Sequence, residues 1–425
     1  MELNDALAQL SADCRDFWAP NNGRVASLAT PPPSATFQRE YVQKSKPVVV
    51  AGAFSEWRCM KKWSLEYLAA QNGDAVVTVN ATPDGRADSV KWCQLSDDPA
   101  NEKRRADNCN SDENSTDVSD PVRLFVLPEE RQMTMRDFKS ALTDHDSPQA
   151  KALGANGIPY LSRQNDSLRA EFSAVADDVP SSGPAFAVGA FGDTSTAGGA
   201  DPNSGFEAVN LWVGDGRSVT SAHQDPYENL YCVLRGTKRF TLLPPCDAPF
   251  VNEQPFRQGQ HRFKRQRASR VPRSESSCSS SVSTGGSCSS KQQSPAEDSS
   301  SMSMGKDAEE EGAGEWVVDV LEGALNWVDA LDEEGTCMRA SPRISDSRGV
   351  GTVGSGSDSR CSKHGSGSDR KTSALVDALA ATQLGQRATP VVVQVHAGEC
   401  LYLPAMWYHR VEQVMDCWNT YNLRS

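Results

Sequence analysis

The sequence predicts a mainly β protein with flanking helices, interrupted by low-complexity insertions. Apolar runs of strand length recur along the chain, at residues 47–51, 75–79, 123–127, 157–161 and 208–213. The continuous valines of the first run are typical of a strand that is covered on both faces. Three tracts dominated by Ser, Gly, Asn and acidic residues interrupt this pattern, and they hold too few apolar side chains to build a core.

The bulk composition of the 425-residue chain excludes several classes of protein. The formal net charge of -13 and the sequence pI of about 5.1 argue against a nucleic-acid binder or a protein that binds anionic membranes. The twelve cysteines contain no C-x-x-C pair, which indicates reduced thiols. The N-terminus lacks the pattern of a secretory signal, and no apolar run approaches the ~20 residues of a membrane helix. We therefore expect a soluble cytoplasmic protein, with the nucleus as a second candidate compartment.

The helices are predicted from apolar spacing and from their N-caps. Residues 1–35 are predicted to form a helix and a Pro-rich linker, with apolar helix positions at Leu3, Ala6, Leu7 and Leu10. Ser64 precedes a helical pattern at residues 65–71, and Thr134 opens another at 134–142. A hydroxyl at such a position accepts a hydrogen bond from the first helical turn, so both residues are expected N-caps.

The insertions divide the predicted domain into pieces. Its N-terminal part spans residues 36–256 and contains a disordered insertion at 93–120, and an ordered segment returns at 314–337. The C-terminal part spans 373–425, and disordered Ser-rich insertions occupy 257–313 and 338–372. Such insertions are tolerable because loop-closure entropy rises by only about 0.6 kcal/mol per doubling of loop length. Solvated filler is favoured for these tracts over phosphorylation-controlled docking.

One stretch carries a candidate metal site. His223 and Asp225 form an H-x-D pair on a predicted strand, where side chains two residues apart point the same way. With a second histidine they would make the 2-His-1-carboxylate set of non-heme Fe(II) oxygenases, which leaves coordination positions open. His396 and His409 are the candidates for that third ligand. On its own the H-x-D triplet is weak evidence for a metal site, because an exposed histidine beside an Asp that caps a turn has the same sequence pattern.

A lysine beyond this strand fits the binding of a carboxylate. Lys238 lies fifteen residues after His223, just past the turn Arg235–Gly236, and is predicted to begin the strand that forms a hairpin with the ligand-bearing strand. An ammonium there offers a point charge to an acid. Strand alternation places Arg239 on the opposite face. An exposed strand lysine is the plainer alternative.

The flanking residues carry a resemblance to a known family. The stretch 218–240 resembles the JmjC branch of the 2-oxoglutarate oxygenases, and in particular its small lysyl-hydroxylase branch (JmjC domain-containing protein seven). The likeness extends over about half to two-thirds of the chain in the same order, at residues 41–90, 125–131, 160–164, 207–214 and 395–411. The resemblance implies a double-stranded β-helix, that is, a cupin-like jelly roll.

The resemblance also implies cofactors and site residues. His223, Asp225 and His409 would bind Fe(II), with 2-oxoglutarate and O₂ as co-substrates, and His409 is preferred over His396 because it stands at the family's ligand position. The residues at the family's positions for 2-oxoglutarate are Tyr160, Thr220, Asn229 and Lys238. Three aromatic residues are either walls of the pocket or plain core, namely Trp212, Tyr231 and Trp407. The remaining histidines are expected at the surface, namely His145, His261 and His364.

The activity implied by the resemblance is hydroxylation of a protein side chain, most simply a lysyl one. The expected partner is a protein substrate, either basic or of GTPase type, without direct binding of nucleic acid or membrane. One alternative is a JmjC demethylase of histone methyl-lysine, although no reader module is visible. Another is a non-catalytic cupin scaffold that recruits partners through its insertions. No H-E-x-x-H motif supports a peptidase.

Two departures from the family pattern limit what the resemblance implies. Gln224 and Pro226 stand where relatives tend to carry Lys and His, which alters expected substrate contacts rather than metal binding. After Val411 the family continues into a last barrel strand and helices that form a homodimer, whereas this chain stops at Ser425. We therefore expect an incomplete final strand, and the family's homodimer is in question.

Overall fold

A computed structural model of the protein describes residues 3–18, 23–95, 122–191, 206–251, 253–265, 314–328, 343–344, 390–414 and 420–424. Its α-helices are α1 (Leu3–Trp18), α2 (Ser34–Phe37), α3 (Arg58–Lys62), α4 (Leu65–Gln71), α5 (Met135–Thr143), α6 (Pro148–Ala152), α7 (Ser167–Glu171) and α8 (Ser173–Ala176). A π-helix follows α2 at Gln38–Val42, and 3-10 helices lie at Ala185–Ala187 and Pro245–Phe250.

The strands make up most of the regular structure. The first nine are β1 (Ala26–Leu28), β2 (Val48–Ala51), β3 (Val76–Thr82), β4 (Arg86–Ala87), β5 (Ser89–Leu95), β6 (Val122–Leu127), β7 (Glu129–Thr134), β8 (Ile158–Tyr160) and β9 (Ala208–Trp212). The others are β10 (Val219–Gln224), β11 (Asn229–Val233), β12 (Thr237–Leu243), β13 (Glu253–Arg265), β14 (Gly314–Val328), β15 (Arg343–Ile344), β16 (Val391–His396), β17 (Glu399–Leu403), β18 (Tyr408–Gln413) and β19 (Thr420–Arg424).

Two of the sheets form a jelly roll. The first has the strand order β1-β2-β17-β11-β19-β9, and the second has the order β16-β12-β18-β10-β4. From β9 to β12 and again from β16 to β19 the chain passes between these sheets, so that strands close in sequence lie in different sheets. The predicted double-stranded β-helix is therefore confirmed.

The core lies on both faces of the first sheet. Val48 and Val50 of β2 pack with the helices in the larger cluster, together with Phe37, Trp63, Leu68 and Phe138. Val49 points the other way, into a second cluster between the two sheets that includes Tyr231, Phe240 and Leu242. The prediction that the valine run is covered on both faces is thus confirmed. The interior between the sheets is where the candidate site is found.

Both predicted N-caps are confirmed. The Ser64 side chain accepts a hydrogen bond from the Tyr67 backbone N–H at 3.1 Å, and the Thr134 side chain accepts one from Asp137 at 3.1 Å. These contacts fix the starts of α4 and α5. No helix among the described residues is long and apolar enough to cross a membrane.

Helix α1 forms as predicted, but its apolar face does not provide the anchor. Leu3 and Leu10 are 74% and 52% exposed. Instead, Ser11 is buried and donates a hydrogen bond to the buried Asp247 carboxylate, which also pairs with Arg15 at 3.3 Å. At the helix end the Trp18 ring packs edge-on against Trp407. Long-range polar contacts therefore determine which face of α1 is buried, and the spacing of apolar residues in the sequence does not reveal them.

The predicted boundaries of the insertions need correction. Strand β5 continues through Leu95, with Cys93 fully buried, so the first insertion does not begin at residue 93. Residues 257–265 belong to β13, which pairs with β14 and β6 and buries Phe256, Gly259 and His261. Inside the third tract, β15 pairs with β5. The rest of the three predicted insertions lies outside the described residues.

The turn Arg235–Gly236 is not the end of a hairpin. Strand β11 pairs with β17 and β19 in the first sheet, whereas β12 pairs with β16 and β18 in the second. The turn therefore carries the chain across the barrel, with Gly236 in the left-handed region at φ 73°. The hairpin prediction for Lys238 was wrong, because a jelly roll separates consecutive strands into opposite sheets.

The expectation of an incomplete final strand also needs correction. Strand β19 pairs with β11 over five residue pairs and with β9 over five more. It therefore lies inside the first sheet rather than at an edge. The predicted homodimer stays a prediction.

Candidate metal centre

Strand pairing brings two of the predicted ligands together. His223 of β10 lies directly opposite His409 of β18 in the antiparallel register, and their ring centroids are 4.2 Å apart. The register shifts between Thr220 and His223. Such an irregularity re-aims the side chains that follow it.

Backbone carbonyls fix the orientation of both imidazoles. His223 Nδ1 lies 2.9 Å from the carbonyl oxygen of Ser221, and His409 Nδ1 lies 3.0 Å from that of Trp407. Because a carbonyl only accepts, each Nδ1 carries the proton and each Nε2 keeps its lone pair. Both rings thus have the tautomer that binds a metal through Nε2. This is the arrangement that outer hydrogen bonds usually provide in metal sites.

Asp225 completes the group. Its Oδ1 lies 3.7 Å from His223 Nε2, and its Oδ2 lies 3.8 Å from His409 Nε2. The ligand atoms of the three residues all lie within 4.8 Å of one another. The Asn229 amide lies 3.4 Å from Asp225 Oδ2, and Asp225 O accepts the Met406 N–H at 2.7 Å. Two imidazoles and one carboxylate form a donor set that suits Fe(II) and leaves coordination positions open.

The other histidines lie elsewhere. His396 is exposed on β16, and its Nδ1 lies 3.0 Å from the Thr237 hydroxyl, so the structure does not bring it to the candidate site. His145 is exposed as predicted, and His364 lies outside the described residues. The surface prediction for His261 was wrong. That side chain is 1% exposed, and its Nε2 accepts a hydrogen bond from Lys91 Nζ at 2.9 Å.

Lys238 lies in the barrel interior. It is 1% exposed, and its Nζ has no hydrogen-bond partner among the described residues. Its ammonium lies 5.1 Å from the centroid of the Trp212 ring, a cation–π distance. Arg239, on the opposite face as predicted, lies 3.8 Å from Glu412 instead. A buried ammonium without a hydrogen-bond partner is costly, because its desolvation is not compensated.

Two aromatic residues link Lys238 to the ligands. Trp212 lies 5.7 Å from Tyr231, ring centroid to ring centroid, and the Tyr231 hydroxyl lies 3.2 Å from His409 Nε2. They therefore line the interior between the ammonium and the three ligands. Trp407 does not share this role, because its Nε1 donates to the Ser45 carbonyl at 3.2 Å and its ring packs on Trp18. The plain-core alternative holds for Trp407.

The other predicted cofactor residues occupy different positions. Tyr160 is buried in the same cluster as Trp212 and Tyr231. Asn229 is buried; its Oδ1 has no hydrogen-bond partner in the part of the chain that is described, and its Nδ2 is directed at Asp225. Thr220 is half-buried on β10, between Ala87 of β4 and Val411 of β18. That these residues bind a co-substrate stays a prediction.

Three residues next to the ligands were not identified from the sequence. The Trp327 indole lies parallel to the His223 ring at 5.8 Å, and its Nε1 donates to Ser221 Oγ at 3.2 Å. Ser221 Oγ in turn donates to the backbone carbonyl of Asp88. Burial raises the pKa of the Asp88 carboxyl, and a protonated His223 and the charge of Lys91 would oppose that rise. Asp88 falls in a stretch quoted for the resemblance, and Trp327 in the segment predicted to be ordered.

The fold and this group of side chains define a class of protein, a double-stranded β-helix with a 2-His-1-carboxylate group inside the barrel. The chain belongs to the cupin-like domain family, which matches residues 33–423. It is 34% identical over 257 residues to JmjC domain-containing protein E of Dictyostelium discoideum, covering 60% of this chain and 61% of that protein.

Two further relatives carry names that state an activity. Human JMJD7, a bifunctional peptidase and (3S)-lysyl hydroxylase, is 30% identical over 254 residues, covering 58% of this chain and 64% of the relative. The lysine-specific demethylase JMJ32 of Arabidopsis thaliana is 34% identical over 225 residues, covering 53% and 52%. Each alignment spans less than two thirds of the relative's length. The JmjC resemblance inferred from the sequence is confirmed.

Proposed function

We propose that this chain is a 2-oxoglutarate- and Fe(II)-dependent dioxygenase that hydroxylates a protein side chain, specifically a lysyl one. The observation that carries the proposal is the ammonium of Lys238, which has no hydrogen-bond partner in the described part of the chain and is buried in the same barrel interior as the group His223, Asp225 and His409. A metal group alone would suit many reactions. A buried cation joined to that group through Trp212 and Tyr231 suits an acid with a carboxylate at its far end.

The residues present fit both the metal and the co-substrate. His223, Asp225 and His409 would hold Fe(II), and Lys238 would hold the distal carboxylate of 2-oxoglutarate, with Tyr160, Thr220 and Asn229 as further polar contacts. When bound, these groups supply the oxidising chemistry together with O₂.

The chain itself contributes orientation and a dry interior. The carbonyls of Ser221 and Trp407 hold the imidazole tautomers, and the Asn229 amide orients the Asp225 carboxylate. Trp212 and Tyr231 are 8% and 1% exposed, so they exclude water from the interior between Lys238 and the ligands. Charged groups in such an interior interact more strongly than they would in water.

The lysyl assignment is supported by one of the relatives. The human relative's name includes (3S)-lysyl hydroxylase, and the alignment with it covers 58% of this chain. Demethylation of methyl-lysine is the second candidate, because another relative is named a lysine-specific demethylase. The products separate the two reactions. A hydroxylase adds one oxygen to a lysyl peptide, whereas a demethylase releases a methyl group as formaldehyde.

The first test is turnover of 2-oxoglutarate by the purified full chain. We expect succinate from protein supplied with Fe(II), ascorbate and a library of lysine-containing peptides, together with oxygen incorporation detected by mass spectrometry. The variant His223→Ala/Asp225→Ala should form none. The matched control is His396→Ala, which removes an exposed imidazole outside the group and should retain succinate formation.

Three results would contradict the proposal. One is succinate formation that survives in the double variant, which would place the reaction elsewhere. Another is a wild-type protein that binds neither Mn(II) nor 2-oxoglutarate in calorimetry, which favours the non-catalytic scaffold. The third is formaldehyde release from methyl-lysyl peptides without any hydroxylysine, which would replace the lysyl hydroxylase with the demethylase.

A further inference from the structure

Asp88 lies at a corner of the candidate site with a strained backbone. It connects β4 to β5, and β4 pairs in parallel with β10 so that Ala87 lies opposite Thr220. The backbone of Asp88 is in the left-handed region at φ 52°. Left-handed non-glycine residues are uncommon, and they concentrate at functional sites where surrounding contacts hold them.

The contacts that hold this corner come from the candidate site itself. Ser221 Oγ donates to the Asp88 carbonyl and accepts from Trp327 Nε1 at 3.2 Å, while the Ser221 carbonyl accepts from His223 Nδ1. The Trp327 ring also stacks on His223 at 5.8 Å. One serine therefore ties the position of Asp88 to that of a metal ligand, and Trp327 holds the serine.

The Asp88 carboxylate itself has no partner within the described ranges of the chain. Across the residues that the structure describes, it makes neither a hydrogen bond nor an ion pair, and it lies close to the His223 imidazole. The nearby cation Lys91 is already engaged, since its Nζ lies 2.8 and 2.9 Å from the two oxygens of Asp84. Asp88 retains partial exposure at the surface, so a group entering from solvent can reach it.

A largely buried carboxylate without a partner is unfavourable unless something positively charged completes it. A lysyl substrate brings such a group, because its ammonium is a compact charge with three donors on a four-carbon stem. We propose that Asp88 receives the ammonium of the lysyl substrate and thereby positions the carbon stem over the metal centre. This inference rests on the proposed function, since it assigns one of that reaction's specificity-determining residues.

The test uses small probes of known charge. The full chain is loaded with Mn(II) and N-oxalylglycine, a non-reactive analogue of 2-oxoglutarate, and titrated with n-butylammonium or with n-butanol. Paramagnetic relaxation of the probe protons by Mn(II) reports binding close to the metal. We expect n-butylammonium to bind at least about tenfold more tightly than n-butanol, because the charge-assisted hydrogen bond is available only to the cation.

The variant Asp88→Asn removes the charge and keeps a residue that tolerates the left-handed backbone. We expect the preference for n-butylammonium to fall to within about twofold in this variant. The matched control is Asp74→Asn, which loses the same unit of charge at a carboxylate that is 87% exposed and paired with Arg136. It should keep the full preference, so that a general effect of net charge is separated from the effect of Asp88.

Each other outcome overturns the inference. If the wild-type protein binds the two probes equally, it has no ammonium site near the metal and the inference is wrong. This measurement needs no variant. A preference retained by Asp88→Asn places the ammonium elsewhere. A variant that loses Mn(II) affinity instead of the preference makes Asp88 a support of the metal. Failure of the proposed function would give a different result, because the wild-type protein would then bind neither Mn(II) nor N-oxalylglycine.

Discussion

His223 and His409 lie directly opposite each other on β10 and β18, with their ring centroids 4.2 Å apart. Most of the low-complexity sequence lies between these two residues in the chain. Their meeting therefore depends on strand register rather than on any local motif. A slip of one residue in this pairing would turn one imidazole to the other face of the sheet. The geometry of the candidate metal site therefore depends on the strand pairing of the barrel as well as on the residue types.

Removal of one ligand should abolish tight metal binding. We expect His409→Ala to weaken Mn(II) binding by about 100-fold or more, because even outer partners of metal ligands typically contribute 10- to 100-fold. Isothermal titration calorimetry of the purified protein measures this directly. His396→Ala should bind Mn(II) like the wild type, since that imidazole is exposed and contacts Thr237. A loss of affinity in His396→Ala with none in His409→Ala would reverse the ligand assignment.

Replacement of Lys238 should separate stability from ligand binding. At 2-oxoglutarate concentrations about 100-fold above its dissociation constant, the Mn(II)-loaded wild type should gain about 2.7 kcal/mol in free energy of unfolding. Lys238→Met should gain almost nothing, because the carboxylate loses its cation. Without ligand, the variant should be at least as stable as the wild type, since an unpartnered buried ammonium is replaced by an apolar side chain.

The control for this prediction is Lys61→Met. The side chain of Lys61 is 66% exposed, and its ion pair with Glu56 lies at the surface. Urea unfolding with and without 2-oxoglutarate should show the full ligand effect in this control. An undiminished ligand effect in Lys238→Met would mean that the carboxylate binds elsewhere in the barrel.

The features of the fold that were predicted correctly from the sequence depend on residues that are close together in the chain. The caps Ser64 and Thr134 were correct because each acts on its own first helical turn. The buried strand at Val48–Ala51 was correct because a run of valines is informative without knowledge of its neighbours. The grouping of His223 with His409 required the family resemblance in addition, since spacing alone left His396 open.

The wrong predictions concern contacts between distant residues. The hairpin at Arg235–Gly236 failed because strand partners in a jelly roll are not sequence neighbours. His261 was placed at the surface because it falls in a stretch predicted to be disordered, yet its partner Lys91 lies on another strand of the same sheet. Asp88 was missed because neither its backbone conformation nor its contact with Ser221 is visible in composition or spacing.

His261 should make stability depend on pH. Burial, and then the charge of Lys91, hold the pKa of His261 well below its usual value, against the opposing effect of Asp84. Between that lowered pKa and about 6.5, the unfolded chain binds a proton that the native chain does not. The contribution of His261 to the free energy of unfolding is therefore fully present above about pH 6.5. It is lost as the pH falls below that value, by at most about 1.4 kcal/mol per pH unit.

The variant His261→Gln tests this dependence, because a neutral side chain can still accept a hydrogen bond from Lys91. Urea unfolding at about pH 6.5 and about pH 5.5 should give a smaller loss of free energy for the variant than for the wild type. His145→Gln, which changes an exposed histidine, should keep the slope of the wild type. Equal slopes for His261→Gln and the wild type would show that His261 takes up its proton in the native state as readily as in the unfolded chain.

Two glycines with similar backbone angles should respond differently to substitution. Gly52 and Gly85 have φ values of 69° and 77°, so an added side chain strains either position by about 1–2 kcal/mol. A Cβ on Gly52 would meet nothing within 4 Å, whereas a Cβ on Gly85 would lie 1.9 Å from the carbonyl oxygen of Arg217. Gly85→Ala should therefore cost about 1–3 kcal/mol more than Gly52→Ala in urea unfolding.

The same pair of variants connects this turn to the metal centre. The Gly85 carbonyl accepts the backbone N–H of Val219 at 2.9 Å, at the start of the strand that carries His223. Displacement of the turn by the Arg217 contact should loosen that strand, so Mn(II) affinity should fall in Gly85→Ala and stay unchanged in Gly52→Ala. If both variants bind Mn(II) like the wild type while only the stability of Gly85→Ala falls, the turn supports the fold without positioning the ligand. Unequal affinities in the expected direction would show that the corner between Gly85 and Asp88 belongs to the site.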